Sequence, residues 1–179
     1  MEFITKNLKK VGVVNIILIV AVLVARCITF ANSPAMSKVE SIIGTIGLVF
    51  GLIYAFNEYK KDAAKYYKLF MYTYVINSII YVIRTIVTSQ IWQFVLGAIV
   101  LICMCLLAFV KDFGKTKSFT AIGIVLLTNV IRFVAAFFAT NVVNVTSLVS
   151  FSSVNLTLAI IAFIFVVCKY ADKESRGTK

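Results

Sequence analysis

Residues 74–87 read YVINSIIYVIRTIV, an apolar run interrupted by one asparagine and one arginine. On a helix of 3.6 residues per turn, Asn77 and Arg84 lie on nearly the same face. The run is too apolar for a water-facing helix, so Arg84 belongs inside a membrane or a protein core. VLVARCIT around Arg26 and TNVIRFVA around Arg132 repeat the arrangement. The rest of the chain reads as a scaffold for these three arginines.

The composition points to lipid. Of 179 residues 61% are hydrophobic, and the mean hydropathy is +1.01. A soluble domain is about 45–50% apolar, so the excess apolar surface must face a bilayer. A net charge of +11 would suggest nucleic acid in a soluble protein. Here the basic residues fall in short clusters between apolar runs, as in the loops of a membrane protein. The expected partner is the lipid bilayer, and no nucleic acid.

Six apolar runs, 11–30, 41–56, 69–88, 91–110, 119–140 and 147–168, predict an all-α integral membrane bundle of six transmembrane helices. A basic leader precedes them at 1–10, and a charged tail, expected to be mobile, follows at 169–179. Fourteen lysines and arginines lie in 1–10, 57–68, 111–118 and 169–179, against one, Lys38, in the alternate loops. The positive-inside rule then puts both termini in the cytoplasm and the protein in the plasma membrane. Trp92 at the outer edge, and Tyr59, Tyr66, Tyr67 and Tyr170 at the inner edge, fit interfacial belts. A cleaved signal peptide ending near Ala31 is the rival reading of the N-terminus. Its apolar run is longer than usual, and Arg26 stands between that run and the cut.

Arg26, Arg84 and Arg132 follow Lys10, Lys68 and Lys117 by 16, 16 and 15 residues. At 1.5 Å per residue that puts each about 23–24 Å above the inner edge of a slab about 30 Å thick. Asn15, Asn77 and Asn129 accompany them, one in each odd run, which suggests three related two-helix hairpins. A guanidinium at mid-bilayer costs about 2.5–3.5 kcal/mol. No acid falls within the runs as drawn, and Glu40, at the outer start of the second, can pair with only one arginine. The surplus charge points to an outer vestibule for a carboxylate, a phosphate or a lipid headgroup, whose geometry a guanidinium fork matches. The candidate ligand residues are Arg26, Arg84, Arg132, Asn77, Asn129, Ser150 and Ser153. The two serines belong to a stripe with Ser147 and Thr157, with Asn155 to one side. Alternatively the arginines only snorkel or hold helices together.

Gly44, Gly47 and Gly51 mark the second run as a close-packing helix, with Gly47 and Gly51 in GxxxG spacing. Their partner is either a helix of the same chain or another membrane protein. Cys27, Cys103, Cys105 and Cys168 form no CxxC pair, and the chain has no histidine, GxSxG or Walker loop. No metal, cofactor or enzymatic activity is therefore expected.

In length, six-helix topology and basic inner loops the chain resembles the substrate-binding subunits of energy-coupling-factor vitamin transporters. Those carry an AxxxA pattern on the first helix that docks the coupling subunit. Ala21 and Ala25 reproduce that spacing, while the rest of the motif is absent, so the chain is assigned to no family. The function expected first is a binding or transport subunit for a small anionic or amphipathic solute. The alternative is an interaction, accessory or immunity-type membrane protein with structural arginines.

Overall fold

The computed structural model describes residues 7–31, 35–110, 113–139 and 151–177. These form six helices and a short 3-10 turn, Lys61–Ala63, with no strand among the described residues. The helices are α1 (Leu8–Phe30), α2 (Ala35–Phe56), α3 (Ala64–Val87), α4 (Ile91–Phe109), α5 (Lys115–Ala139) and α6 (Phe151–Gly177). All six are long and apolar enough to cross a membrane.

Most helices extend past the apolar runs. α3 and α5 begin four or five residues early, in segments that carry Lys65, Lys68, Lys115 and Lys117. α6 runs on to Gly177, so the segment expected to be a mobile tail is helical to that point. Lysine stems can lie along the apolar flank while their ammonium groups sit over rings: Lys65 over Tyr66, and Lys169 over Tyr67 and Tyr170. The consequential extension is at α2. It starts at Ala35, directly after Pro34 in the sequence, and takes in Ser37 and Glu40. Glu40 is therefore inside an apolar helix, against the expectation that no span holds an acid.

Each helix packs on its neighbour in sequence, and α6 returns to α1, closing a ring. The tightest seam is α2 on α3. A Cβ at Gly47 would run into Thr73 of α3, and one at Gly51 would crowd the rings of Phe70 and Phe165 at 3.0–3.3 Å. The glycine face thus packs within the chain. Between α3 and α4 the chain turns through Thr88–Gln90. Ser89, at φ 54°, stands in the left-handed region, and Gln90 N–H reaches the Thr85 carbonyl at 2.9 Å. This is a Schellman closure that satisfies the end of α3 in three residues.

At the lysine end, the turn after α2 holds both Glu58 and Tyr59 in the left-handed region, at φ 52° and 60°. A non-glycine residue there costs about 1–3 kcal/mol. The turn swings Tyr59 back under the bundle, where it is fully buried against Tyr54 (5.2 Å between centroids) and Phe165 (6.1 Å). Phe70 meets Phe165 edge-on at 4.8 Å, and Tyr67 joins through Tyr54 at 5.7 Å. Edge-to-face pairs contribute about 0.5–1.5 kcal/mol each beyond burial. Asn15 donates to the Tyr59 hydroxyl at 3.5 Å, and burial pushes that phenol above its ordinary pKa, keeping it neutral. Tyr59 and Tyr67 are thus part of an aromatic plug, which corrects their reading as interfacial residues. Trp92 is exposed near the opposite end.

Candidate functional site

The arginine end is built around Glu40. Its side chain is 0% exposed, and Arg84 Nε of α3 lies 3.3 Å from Oε1. That contact is at ion-pair distance without hydrogen-bond geometry, and neither carboxylate oxygen accepts a hydrogen bond. Arg26 bonds the main-chain carbonyl of Glu40 at 3.2 Å, and Arg132 shares the Tyr81 ring with Arg84. One buried acid therefore stands among three guanidinium groups from α1, α3 and α5.

The three are held differently. Arg26 is 4% exposed and donates through one terminal nitrogen to the carbonyls of Glu40 (3.2 Å) and Ser41 (2.6 Å). Its guanidinium occupies the space that a Cβ at Gly44 would need. Gly44 thus admits a cation between α1 and α2. Arg84 donates to the Ser37 hydroxyl at 2.8 Å and lies 5.0 Å from the centroid of the Tyr81 ring. Arg132 stacks on that ring at 3.8 Å and donates to Asn129 Oδ1 at 3.4 Å. Both cations thus contact the ring of Tyr81, whose hydroxyl donates to Gln93 of α4 at 3.0 Å.

Beside Arg132 is a small cavity lined by Tyr74, Asn77, Ser78 and Tyr81 of α3, Gly97 and Val100 of α4, Asn129 and Arg132 of α5, and Asn155 of α6. A Cβ at Gly97 would press on the Tyr81 ring at 3.0 Å, so glycine lets α4 close this wall. The space open to the centre of a water-sized sphere is about 20 Å³, where one water needs roughly 10–15 Å³. Asn129 gives its amide to the Val125 carbonyl at 2.8 Å. Asn77 is 7% exposed, and its carbonyl oxygen has no hydrogen-bond partner. A buried carbonyl oxygen left unsatisfied costs about 1–3 kcal/mol, so in this orientation the amide calls for a donor such as water, and turned over it presents its NH2 group instead.

Of the residues singled out from sequence, Asn77, Asn129 and Arg132 line this cavity. Arg26 and Arg84 do not line this cavity; Glu40, Ser37 and two α2 carbonyls engage them. Asn15 lies at the opposite end, against Tyr59. Ser147 and Ser150 lie outside the described residues, as does the side chain of Ser153 in the first turn of α6. Thr157 is half-buried. Ala25 packs partly against the core, whereas Ala21 is exposed. Sequence reasoning missed Tyr74, Ser78 and Tyr81 and set Asn155 aside. A signal was present, because residues 74, 77, 78, 81, 84 and 85 follow an i, i+3, i+4, i+7 pattern that puts every polar or hydroxyl-bearing side chain of that stretch on one face.

Comparison with known proteins finds no matching family model, no matching curated sequence and no matching solved structure.

Proposed function

We propose that this chain is a non-enzymatic, multi-pass plasma-membrane protein, with both termini in the cytoplasm, that binds and helps to move a small anion entering from the outer side. The observation that carries the reading is the cavity where Arg132 meets the side chains of Asn77, Asn129 and Asn155. A guanidinium with neutral amide donors suits an anion, and the three arginines outnumber the one buried acid, leaving a local charge surplus. The cavity volume favours an inorganic anion or a small carboxylate over an amphipathic solute or a lipid headgroup. The aromatic plug at the lysine end supports entry from the arginine end.

Thermal unfolding of the detergent-purified protein in chloride, nitrate, acetate and phosphate tests this reading at constant ionic strength. A specific ligand at 100 times its dissociation constant adds about 2.7 kcal/mol. Equal melting in all four salts, with no saturable shift, removes the proposal. Topology is tested by impermeant thiol labelling in a background with the exposed Cys27 changed to serine. Gln90→Cys should label in intact cells and Lys115→Cys should not; both positions are exposed.

A second reading has its own support: Arg26 and Arg84 are engaged by α2. On that reading the chain is an accessory or interaction protein and the arginines are braces.

A further inference from the structure

We propose that Glu40 couples the site to protons: an anion entering beside Arg132 and a proton arriving at Glu40 favour one another, so the anion is taken up together with a proton. This rests on the anion-binding reading above. Three observations motivate it. Glu40 is completely buried, yet its two oxygens accept no hydrogen bond, and Arg84 Nε at 3.3 Å is its only ion-pair contact among the described residues. A structural carboxylate at a buried site is ordinarily hydrogen-bonded on both oxygens. Arg132, which lines the cavity, contacts the same Tyr81 ring as Arg84, the ion-pair partner of Glu40, so the carboxylate and the cavity belong to one cationic cluster.

The groups that face this cluster permit the coupling. From α1 comes Arg26, bonded to the main-chain carbonyl of Glu40; from α3 Arg84, at ion-pair distance from its carboxylate; and from α5 Arg132, on the Tyr81 ring that Arg84 also contacts. Tyr74 of α3 lines the cavity with Arg132, and both Arg84 and Arg132 contact the Tyr81 ring. Lys38, on the same helix as Glu40, is over the ring of Phe30. Among the described residues no second carboxylate is present at this end, so Glu40 is the carboxylate there that can take a proton. With Glu40 ionised, it competes with an incoming anion for the field of the arginines. Protonating it from solvent, carboxylate to carboxylic acid, removes that competition and leaves the guanidinium charge to the anion. Linkage makes the effect reciprocal: anion binding raises the proton occupancy of Glu40 by the same factor by which a proton tightens the anion.

Nitrate and chloride are the appropriate probes, because neither titrates between pH 5 and 8 and any proton taken up must come to the protein. The experiment is calorimetric titration of the detergent-purified full chain with each, at pH 5 and pH 8. At each pH two buffers of different ionisation enthalpy are used to count protons. The expected result is about tenfold tighter binding at pH 5, with a fraction of a proton, up to one, taken up per anion. Glu40→Gln should bind at both pH values with the affinity of the wild type at pH 5. Binding with no proton uptake and no pH dependence overturns the coupling and leaves the anion site standing. So does a pH dependence that survives in Glu40→Gln. The proton count is made on the wild type, so it decides the matter even if the variant does not fold. Absence of binding by both anions at both pH values overturns the coupling.

Discussion

Arg26 and Arg132 have the same sequence setting, an arginine near the same end of an apolar helix, and they meet opposite surroundings. Arg26 is pressed into the α1–α2 seam opposite Gly44, with its donors on the main chain of Glu40 and Ser41. Arg132 lies on the face of Tyr81, makes a long 3.4 Å bond to Asn129, and borders a cavity. The neighbour opposite decides the difference. A glycine lets the guanidinium sink until helix carbonyls take it, whereas an aromatic ring holds it off and leaves space beside it. The first arginine joins helices; the second borders open space.

The comparison breaks most visibly at Gly44. Gly44→Leu should expel the Arg26 guanidinium from its seam and strand a buried cation, costing about 3 kcal/mol or more. Thermal unfolding in detergent would register that as the largest loss among the glycine variants. Wild-type stability in Gly44→Leu would mean that Arg26 can leave the seam freely, and the contrast with Arg132 would collapse. At Gly47 an added Cβ meets Thr73 across the α2–α3 seam, and Gly47→Leu should cost about 1–3 kcal/mol through overpacking.

Conservative exchange of the two arginines sharpens the contrast. Arg132→Lys keeps the charge but loses the planar fork and its stacking on Tyr81, so nitrate affinity should fall about tenfold. Its melting temperature should stay close to that of the wild type. Arg26→Lys should do the reverse, lowering stability by about 1–2 kcal/mol for lost charged hydrogen bonds while nitrate affinity holds. Equal effects of both exchanges on binding would return Arg26 to the ligand site.

Much of the architecture was legible because apolar run length is a direct physical signal. Six runs gave six helices, with ends displaced where lysine stems or a charged tail continue a helix beyond its apolar part. Glu40 was misread for a related reason. The second run was counted from Ser41, but AMSKVE is as good a helix opening as any, and α2 takes it in. That shift of six residues turned an outer loop acid into the buried centre of the arginine end. Spacing within one helix could rank Asn77 and Arg84 together. It could not say which arginine would face Gly44 and which Tyr81, since that depends on how helices distant in sequence are rotated against each other. Tyr59 escaped for a different reason, because a local left-handed turn at Glu58 and Tyr59 sends it inward.

The smallest effect expected concerns the edge of α1 that lies beside Arg26. Val13, Ile17, Val20, Val24 and Ile28 are exposed along this helix, which packs only on α2 and α6 among its principal neighbours. Ala21 is on that exposed side, while Ala25 turns toward the core with Val22 and Arg26. If the exposed side meets lipid, Ala21→Leu adds apolar surface where apolar surface already is, and stability should stay within about 0.5 kcal/mol. Ala25→Leu should cost about 1–3 kcal/mol, because its added volume pushes into the packed seam that also holds Arg26. Melting temperature and detergent-corrected mass, measured for both variants, read the two sides separately. A clear loss of stability in Ala21→Leu together with a change of oligomeric mass would show the alanine pair to be one contact surface for a partner helix. The inward rotation of α1 that buries Arg26 would then be only half of what this helix does.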